Sequence, residues 1–308
     1  MNTPVAFFVF NRPDLARRVF ERIRQARPPE LFLVCDGPRA HVAADAEAVA
    51  QVRAFLETAV DWPCTVHRDF AEENLGCRRR VASGLDWVFS LAEQAIILED
   101  DCLPDPSFFV FCDAMLARYR DDPRVMHVNG TNFLPPGECG RASCFFSKYV
   151  WVWGWATWRR AWQQYDPLMG TWEERLPLLE ASFDSGQERA FWLSTFNHAR
   201  ADWTRANTWD FQWIYTCWTK GGLSIVPRVN LVENLGFGCG ATHTTADAPH
   251  LCRTAGSLDP IAPPRRVARN RWRDQLMFCA YRDIPLGGIS RLKNFLRVAA
   301  FPLLKRLR

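Results

Sequence analysis

"AIILEDDCLPDPSFF", residues 95–109, opens on an apolar run and passes directly into three consecutive acids, Glu99, Asp100 and Asp101. The run at 95–98 has the length and isoleucine content of a buried strand, and Pro104 and Pro106 mark a turn before a helix that starts near residue 106. Like charges this close repel one another and are costly to take out of water unless a cation sits among them. Two readings are open. The acids cap the next helix or pair with arginines, or they hold a hard divalent cation through oxygen ligands, as magnesium and manganese sites do. Their position directly after an apolar strand and before a Pro-x-Pro turn favours the cation.

Working outward, strands and helices alternate. Residues 5–10 read as a buried strand, and Pro13 opens an amphipathic helix to about residue 26. A second strand at 31–35 ends in Asp36-Gly37-Pro38, a helix covers about 43–59, and 64–67 is a third strand. "ENLGCRRRVASGLDWVF" (73–89) supplies a loop and a helix with Val81, Leu85 and Val88 on one face. This rhythm implies an α/β fold with a largely parallel sheet, in which ligands bind at the carboxyl ends of the strands. Three of those ends carry chemistry: Asn11-Arg12, Asp36, and Glu99-Asp100-Asp101.

Beyond about residue 125 the rhythm changes. "VMHVNG" (125–130) and "SCFFSKYV" (143–150) read as strands, and the Trp-dense "WVWGWATWRRAW" (151–162) as leading into a helix. Helical segments at about 171–183 and 187–202 precede "NTWDFQWIYTCW" (207–218). "GGLSIVPRVNLVENLGFGCGATHTT" (221–245) offers a strand and a Gly-rich loop of the kind that closes over a ligand. No repeat, low-complexity tract or linker is visible, so the expected organisation is one catalytic domain over 1–250 and an extension over 251–308.

With 48% hydrophobic and 23% charged residues, the 308-residue chain has globular composition and ample material for a core. "MNTPVAFFVFNRPD" lacks a basic n-region and a cleavage site, and its apolar run is too short to span a membrane. The expected compartment is therefore the cytoplasm, with the 11 cysteines as reduced thiols. No C-x-x-C pair occurs, which argues against structural zinc. The net charge is only +4, but "GGISRLKNFLRVAAFPLLKRLR" (287–308) places Arg291, Lys293, Arg297, Lys305, Arg306 and Arg308 among Leu292, Phe295, Leu296, Ala299 and Leu303. Such a basic amphipathic helix either lies on an anionic membrane, here the inner face, or docks on the domain with its basic side in water. Nucleic-acid binding has little support, because the basic residues cluster at the C-terminus without interleaved exposed aromatics.

The ordered series "FNRP", "LFLVCDGPR", "ENLGCRRRVASGLDWVF", "IILEDDCLPDPSFF", "WGWATWRRAW", "WDFQW" and "FGCGATHT" resembles the GT-A glycosyltransferases, more narrowly the bacterial relatives of N-acetylglucosaminyltransferase I, over about residues 4–245. Its most specific parts are the acid triplet after a strand and the W-D-x-x-W segment. The resemblance implies a GT-A fold, a central mixed, mostly parallel sheet flanked by helices, that binds a UDP-sugar with Mn2+ or Mg2+. Carried over by residue, Asp101 would bind the metal, Asp100 would face the ribose and the metal's waters, and Glu99 the donor sugar. Arg12 would meet the diphosphate, Asp36 the uracil, and Asp210 would be the catalytic base with Trp209 beside the donor sugar. His243 would sit in the loop that closes over the nucleotide. Around Asn74 and Arg80 the chain departs from the family's His-containing nucleotide contact, and "WGWATW" matches the acceptor-side loop in its Gly-Trp alone.

The chemistry is coherent without the name. Moving a sugar off a diphosphate builds negative charge on the phosphate, which a divalent cation and Arg12 would stabilise. The acceptor hydroxyl loses its proton as it attacks, and one carboxylate opposite the leaving group suffices, giving direct displacement with inversion. The expected acceptor is a hydroxyl of a glycan, a lipid-linked precursor or a protein, and possession of an N-acetylglucosamine donor is the first candidate. Plainer readings stay open: Asp210 as a helix acid near a cap at Asn207 or Thr208, Asp36 as a turn former, His243 as a local hydrogen-bonder, and Trp151, Trp153, Trp155 and Trp158 as sugar platforms or core. His127 reads as a core histidine. The competing functions are a non-catalytic, membrane-associated nucleotide-sugar scaffold and a sugar nucleotidyltransferase; the latter wants a Gly-rich phosphate loop that "FVFNRPDLARR" lacks.

Overall fold

A computed structural model describes residues 1–135, 137–201, 207–236 and 249–285. The alternation read from the sequence is present: β1 (Val5–Val9), α1 (Pro13–Ala26), β2 (Glu30–Cys35), α2 (Ala43–Thr58), β3 (Thr65–Phe70), α3 (Gly76–Leu91) and β4 (Gln94–Glu99). The short β5 (Cys102–Pro104) and α4 (Pro106–Arg118) follow, the helix capped by the Asp105 carboxylate, which accepts from Ser107 N. Then come β6 (Val125–Asn129), β7 (Cys144–Ser147), β8 (Trp155–Trp158), the single-turn α5 (Arg159–Trp162), α6 (Trp172–Ser182), α7 (Gly186–Ala201) and α8 (Asp210–Thr219). The chain continues with β9 (Leu223–Pro227), β10 (Val232–Asn234) and α9 (Arg271–Tyr281).

Eight strands form one mixed sheet in the order β3-β2-β1-β4-β8-β6-β9-β7. β3, β2, β1 and β4 run parallel, β8 is antiparallel to both β4 and β6, β9 is parallel to β6, and β7 is antiparallel to β9. All but β8 and β7 therefore point the same way. Both faces are covered, which is why β1 and β2 read as unbroken apolar runs. Val5, Phe7 and Val9 of β1 pack with α1, α2 and α4, whereas Ala6 and Phe8 face α3 and the aromatic layer of α7, α8 and α9.

One difference from the sequence reading matters. The tryptophan run does not pass straight into a helix: residues 155–158 form β8 in the middle of the sheet, with Trp155 in one core and Ala156 and Trp158 in the other. Tryptophan and threonine both suit a pleated strand better than a helix. Beyond residue 250, α9 packs against β7. Leu276, Met277 and Phe278 of α9 are each about 1% exposed or less and belong to the core under the sheet. The basic stretch at 287–308 lies outside the described residues. Among the described residues no helix is long and apolar enough to cross a membrane.

Candidate active site

β1 and β4 lie side by side, with Phe8 opposite Glu99, so the end of β4 and the loop after β1 share one rim of the sheet. Asp100 and Asp101 form the tight turn between β4 and β5. A small ribbon of β5 and β10 holds that turn, with Leu235 N donating to Asp101 O at 2.7 Å. Gly236 lies so close that a Cβ there would fall 2.3 Å from Asp101 Oδ2, a contact only glycine avoids.

Arg12, at the N-terminus of α1, lies across the acids. Its Nη1 is 2.9 Å from Asp101 Oδ2 and its Nε 3.4 Å from Asp100 Oδ1. Phe10 N donates to Asp100 Oδ2 at 3.1 Å. One guanidinium does not balance three acids here. Burial, then the charges of Asp101 and Asp100, push Glu99 above its ordinary range. Burial also pushes Asp100 up, against the pull of Arg12. Both shifts report a buried site short of positive charge.

Whether a metal suits the site turns on that shortage and on the donor set. The nearby side chains offer carboxylate oxygens, the choice of Mg2+ and Mn2+. Among the described residues no three His, Cys, Asp or Glu side chains converge as a ligand set. What the turn offers a hard cation is the carboxylate oxygens of Asp101 and Asp100, which Arg12 engages here, and any such cation would take most of its ligands from elsewhere.

A cavity of about 440 Å³ opens onto these acids. Of the residues singled out in the sequence, Arg12, Asp36, Glu99, Asp100, Asp101, Trp209 and Asp210 all line it. His243 lies outside the described residues. Asp210 is the first residue of α8, whose cap position is Trp209 with no side-chain cap. Asn207 does not cap α8; its Oδ1 accepts from Arg78 N in α3 at 3.2 Å. The negative charge of Asp210 is felt by Glu99 and Cys77 on one side and by Tyr165 and Tyr281 on the other.

Asp36 lines the cavity with its carboxylate engaged by the neighbouring loops. Its Oδ1 accepts from Gly37 N and Leu75 N, each at 2.9 Å, and its Oδ2 from Asn74 Nδ2 and Gly76 N, each at 3.0 Å. Four donors engage the carboxylate within its own loops, so it braces the end of β2 against the start of α3. Trp209 is buried, stacked on Trp155 with centroids 5.7 Å apart. Trp155 and Trp158 are core, whereas Trp151 and Trp153 reach the cavity wall. His127 is core as read: Trp213 Nε1 donates to its Nδ1 at 3.2 Å, and its Nε2 contacts Trp151 O at 3.0 Å.

The sequence reading missed Cys77, Leu251 and Tyr281, which also line the cavity. Burial, then the surrounding carboxylates, push the Cys77 thiol up. Tyr281 ends α9 and carries no local signal, because only the docking of α9 brings it to the site.

No family model and no curated protein matches the chain. Among solved structures, the chain is similar to GalNAc-T7 with UDP, GalNAc and Mn2+, at 13% identity and a TM-score of 0.42. That match covers 74% of this chain and 43% of the other, so the chain spans under half the length of that neighbour. It is also similar to the mannosyltransferase PcManGT from Pyrobaculum calidifontis in complex with GDP-Man and Mn2+, at 14% identity and a TM-score of 0.36, covering 71% of this chain and 70% of that one. Likeness of this degree says nothing of chemistry, which the site's own residues must supply.

Proposed function

We propose that the protein is a metal-dependent GT-A glycosyltransferase that moves a sugar from a nucleoside diphosphate to an acceptor hydroxyl with inversion. One observation carries the reading: an acid triplet at the end of a central parallel strand, bridged by Arg12, shares one cavity with Asp210. UDP is the expected nucleotide and N-acetylglucosamine the first candidate sugar.

A Mn2+ or Mg2+ held by Asp101, with Asp100 beside it, would neutralise charge on the diphosphate when bound. Arg12 reaches the same place and donates to the leaving phosphate, while Glu99 faces the sugar. Asp210 takes the proton from the acceptor hydroxyl as its oxygen bonds to the anomeric carbon and the bond from that carbon to the phosphate oxygen breaks. With no enzyme nucleophile, a single displacement inverts the anomeric centre. The acceptor belongs to a glycan, a lipid-linked precursor or a protein, which suits assembly of cell-surface polysaccharide.

The test is a thermal-shift panel of UDP, GDP and their sugar conjugates, with and without Mn2+, since a ligand that binds only the folded state raises its melting temperature. A shift that needs both nucleotide and metal, and that Asp101→Ala abolishes, is expected. Asp210→Asn keeps that shift but loses about 10²–10⁴-fold in transfer. A metal-dependent nucleotide shift that persists in Asp101→Ala would remove the metal site, and unchanged transfer by Asp210→Asn would remove the base. Nucleotide binding with no donor turnover, in transfer or in slow hydrolysis, would leave the scaffold reading.

A further inference from the structure

The cavity has two chemically distinct ends. Arg12, Asp36, Arg39, Asn74 and Arg80 line one, where β1, β2 and α3 present cations and amides. The other is aromatic, built by Trp151, Trp153, Phe211, Trp192 and Tyr281. Four of these rings are linked by ring contacts, Trp153 through Phe133. Trp151 and Tyr281 have centroids 4.7 Å apart, Tyr281 lies nearly parallel to Trp192 at 6.3 Å, and Phe133 stands edge-on to both Trp151 and Trp153 at 5.0 and 5.6 Å. Trp192 is fully buried and closes the wall from behind. Asp210 joins the two ends, because its charge acts on Glu99 and on Tyr281 alike.

The Tyr281 hydroxyl makes no hydrogen bond among the described residues, although the residue is mostly buried. Burial first and the Asp210 charge second push it up to about 12, so it remains a proton donor. A phenol without a partner, on a wall otherwise offering ring faces, is what a ligand with both an apolar face and hydroxyls would use.

We propose that the aromatic end is the acceptor subsite and that it takes a pyranoside, whose C–H face lies on Trp153 and the Trp151–Tyr281 pair and one of whose hydroxyls accepts from Tyr281. This rests on the glycosyltransferase reading, in which the base must stand on the acceptor side, opposite the diphosphate. Flat rings backed by a buried tryptophan make a short platform; an alkyl chain would need an apolar channel leading away. The described C-terminal segment thereby supplies a wall of the active site through Leu251 and Tyr281.

The experiment is saturation-transfer NMR of the full chain with a panel of methyl pyranosides, with Mn2+ and UDP present. At least one pyranoside binds, with saturation strongest on the protons of one ring face. Trp153→Ala abolishes the signal, and Tyr281→Phe weakens binding about three- to tenfold while retaining the ring. Both variants keep the nucleotide- and Mn2+-dependent thermal shift, which also establishes that they are folded. The subsite is overturned if no methyl pyranoside binds, if both variants bind it as the parent does, or if only a decyl-chain glycoside binds and its alkyl protons carry the signal. Pyranoside binding without any nucleotide-dependent shift instead keeps the subsite and defeats the glycosyltransferase reading.

Discussion

His127 shows how a single side chain can be legible in sequence and still hold a consequence that only its neighbours reveal. It sits in β6, fully buried, stacked on Trp155 at 4.9 Å, with Trp213 donating to Nδ1. That donor fixes the tautomer: Nδ1 must accept, so Nε2 carries the proton and donates to Trp151 O. Burial pushes the ring down to about 3, against the favourable contact with Trp151. The ordinary value is near 6.5, so below about that pH the unfolded chain gains a proton that the folded chain refuses. Stability from this group is unaffected above pH 6.5 and falls as the pH drops from 6.5 towards 3. Between pH 7.5 and 5 the loss is about 2 kcal/mol. Urea titrations of the parent and of His127→Gln measure it: the variant is less stable at pH 7.5, and the gap narrows by about that amount at pH 5. A gap that stays constant with pH means that the ring is protonated in the fold.

At the scale of elements, what was legible followed from local pattern, and what was not followed from pairing. The apolar run 95–98 and its acids are one strand end in sequence and in space, and the α1 start at Pro13 is a local rule obeyed. β5, β8 and β10 were missed because each is short and owes its existence to a partner strand remote in sequence. Asp36 belongs to this second class. Its Asp-Gly-Pro context reads as a turn, but nothing local announces that its carboxylate also gathers Asn74, Leu75 and Gly76 from the start of α3. Gly37 is part of that joint, since a Cβ there would fall 2.4 Å from the Glu73 carbonyl carbon. Asp36→Ala leaves three backbone N–H groups in a largely buried joint without an acceptor, at a cost of about 3 kcal/mol. A lowered urea midpoint, with nucleotide affinity reduced as Asn74 and Arg80 lose their support, is expected. If instead stability is retained while only uridine nucleotides bind less well, the carboxylate contacts the base and the brace is secondary.

At the scale of the molecule, the question is why a chain whose first four parallel strands end by residue 99 needs its last described helix. A buried set of charges answers it. Lys148 Nζ, beyond the end of β7, is 2.7 Å from Glu188 Oε1 of α7 and 2.9 Å from Ser182 O at the end of α6. Arg269 pairs with both Asp184 and Asp274, and Ser147 Oγ donates to Asp274. Burial alone would raise Glu188, but Lys148 and its hydrogen bonds outweigh that and hold it ionised. Removing one member of so buried a set strands the others, typically costing about 3–5 kcal/mol. Ending the chain at residue 250 takes away Arg269 and Asp274, leaves Asp184 with its remaining partner Lys148 at 4.0 Å, and uncovers the core that Leu276, Met277 and Phe278 fill, worth about 2 kcal/mol each. Those losses approach the about 5–15 kcal/mol by which a typical domain is stable. The truncated chain is therefore expected to lack a cooperative melting transition and near-ultraviolet dichroism from its tryptophans. A chain ending at 285 keeps α9, the ion set and Tyr281, and is expected to melt cooperatively and show the nucleotide-dependent shift. Should the chain ending at 250 fold and bind nucleotide as well, α9 is a detachable cover and the boundary near 250 is a true one; should only the longer one do so, the site and the C-terminal helix form one cooperative unit.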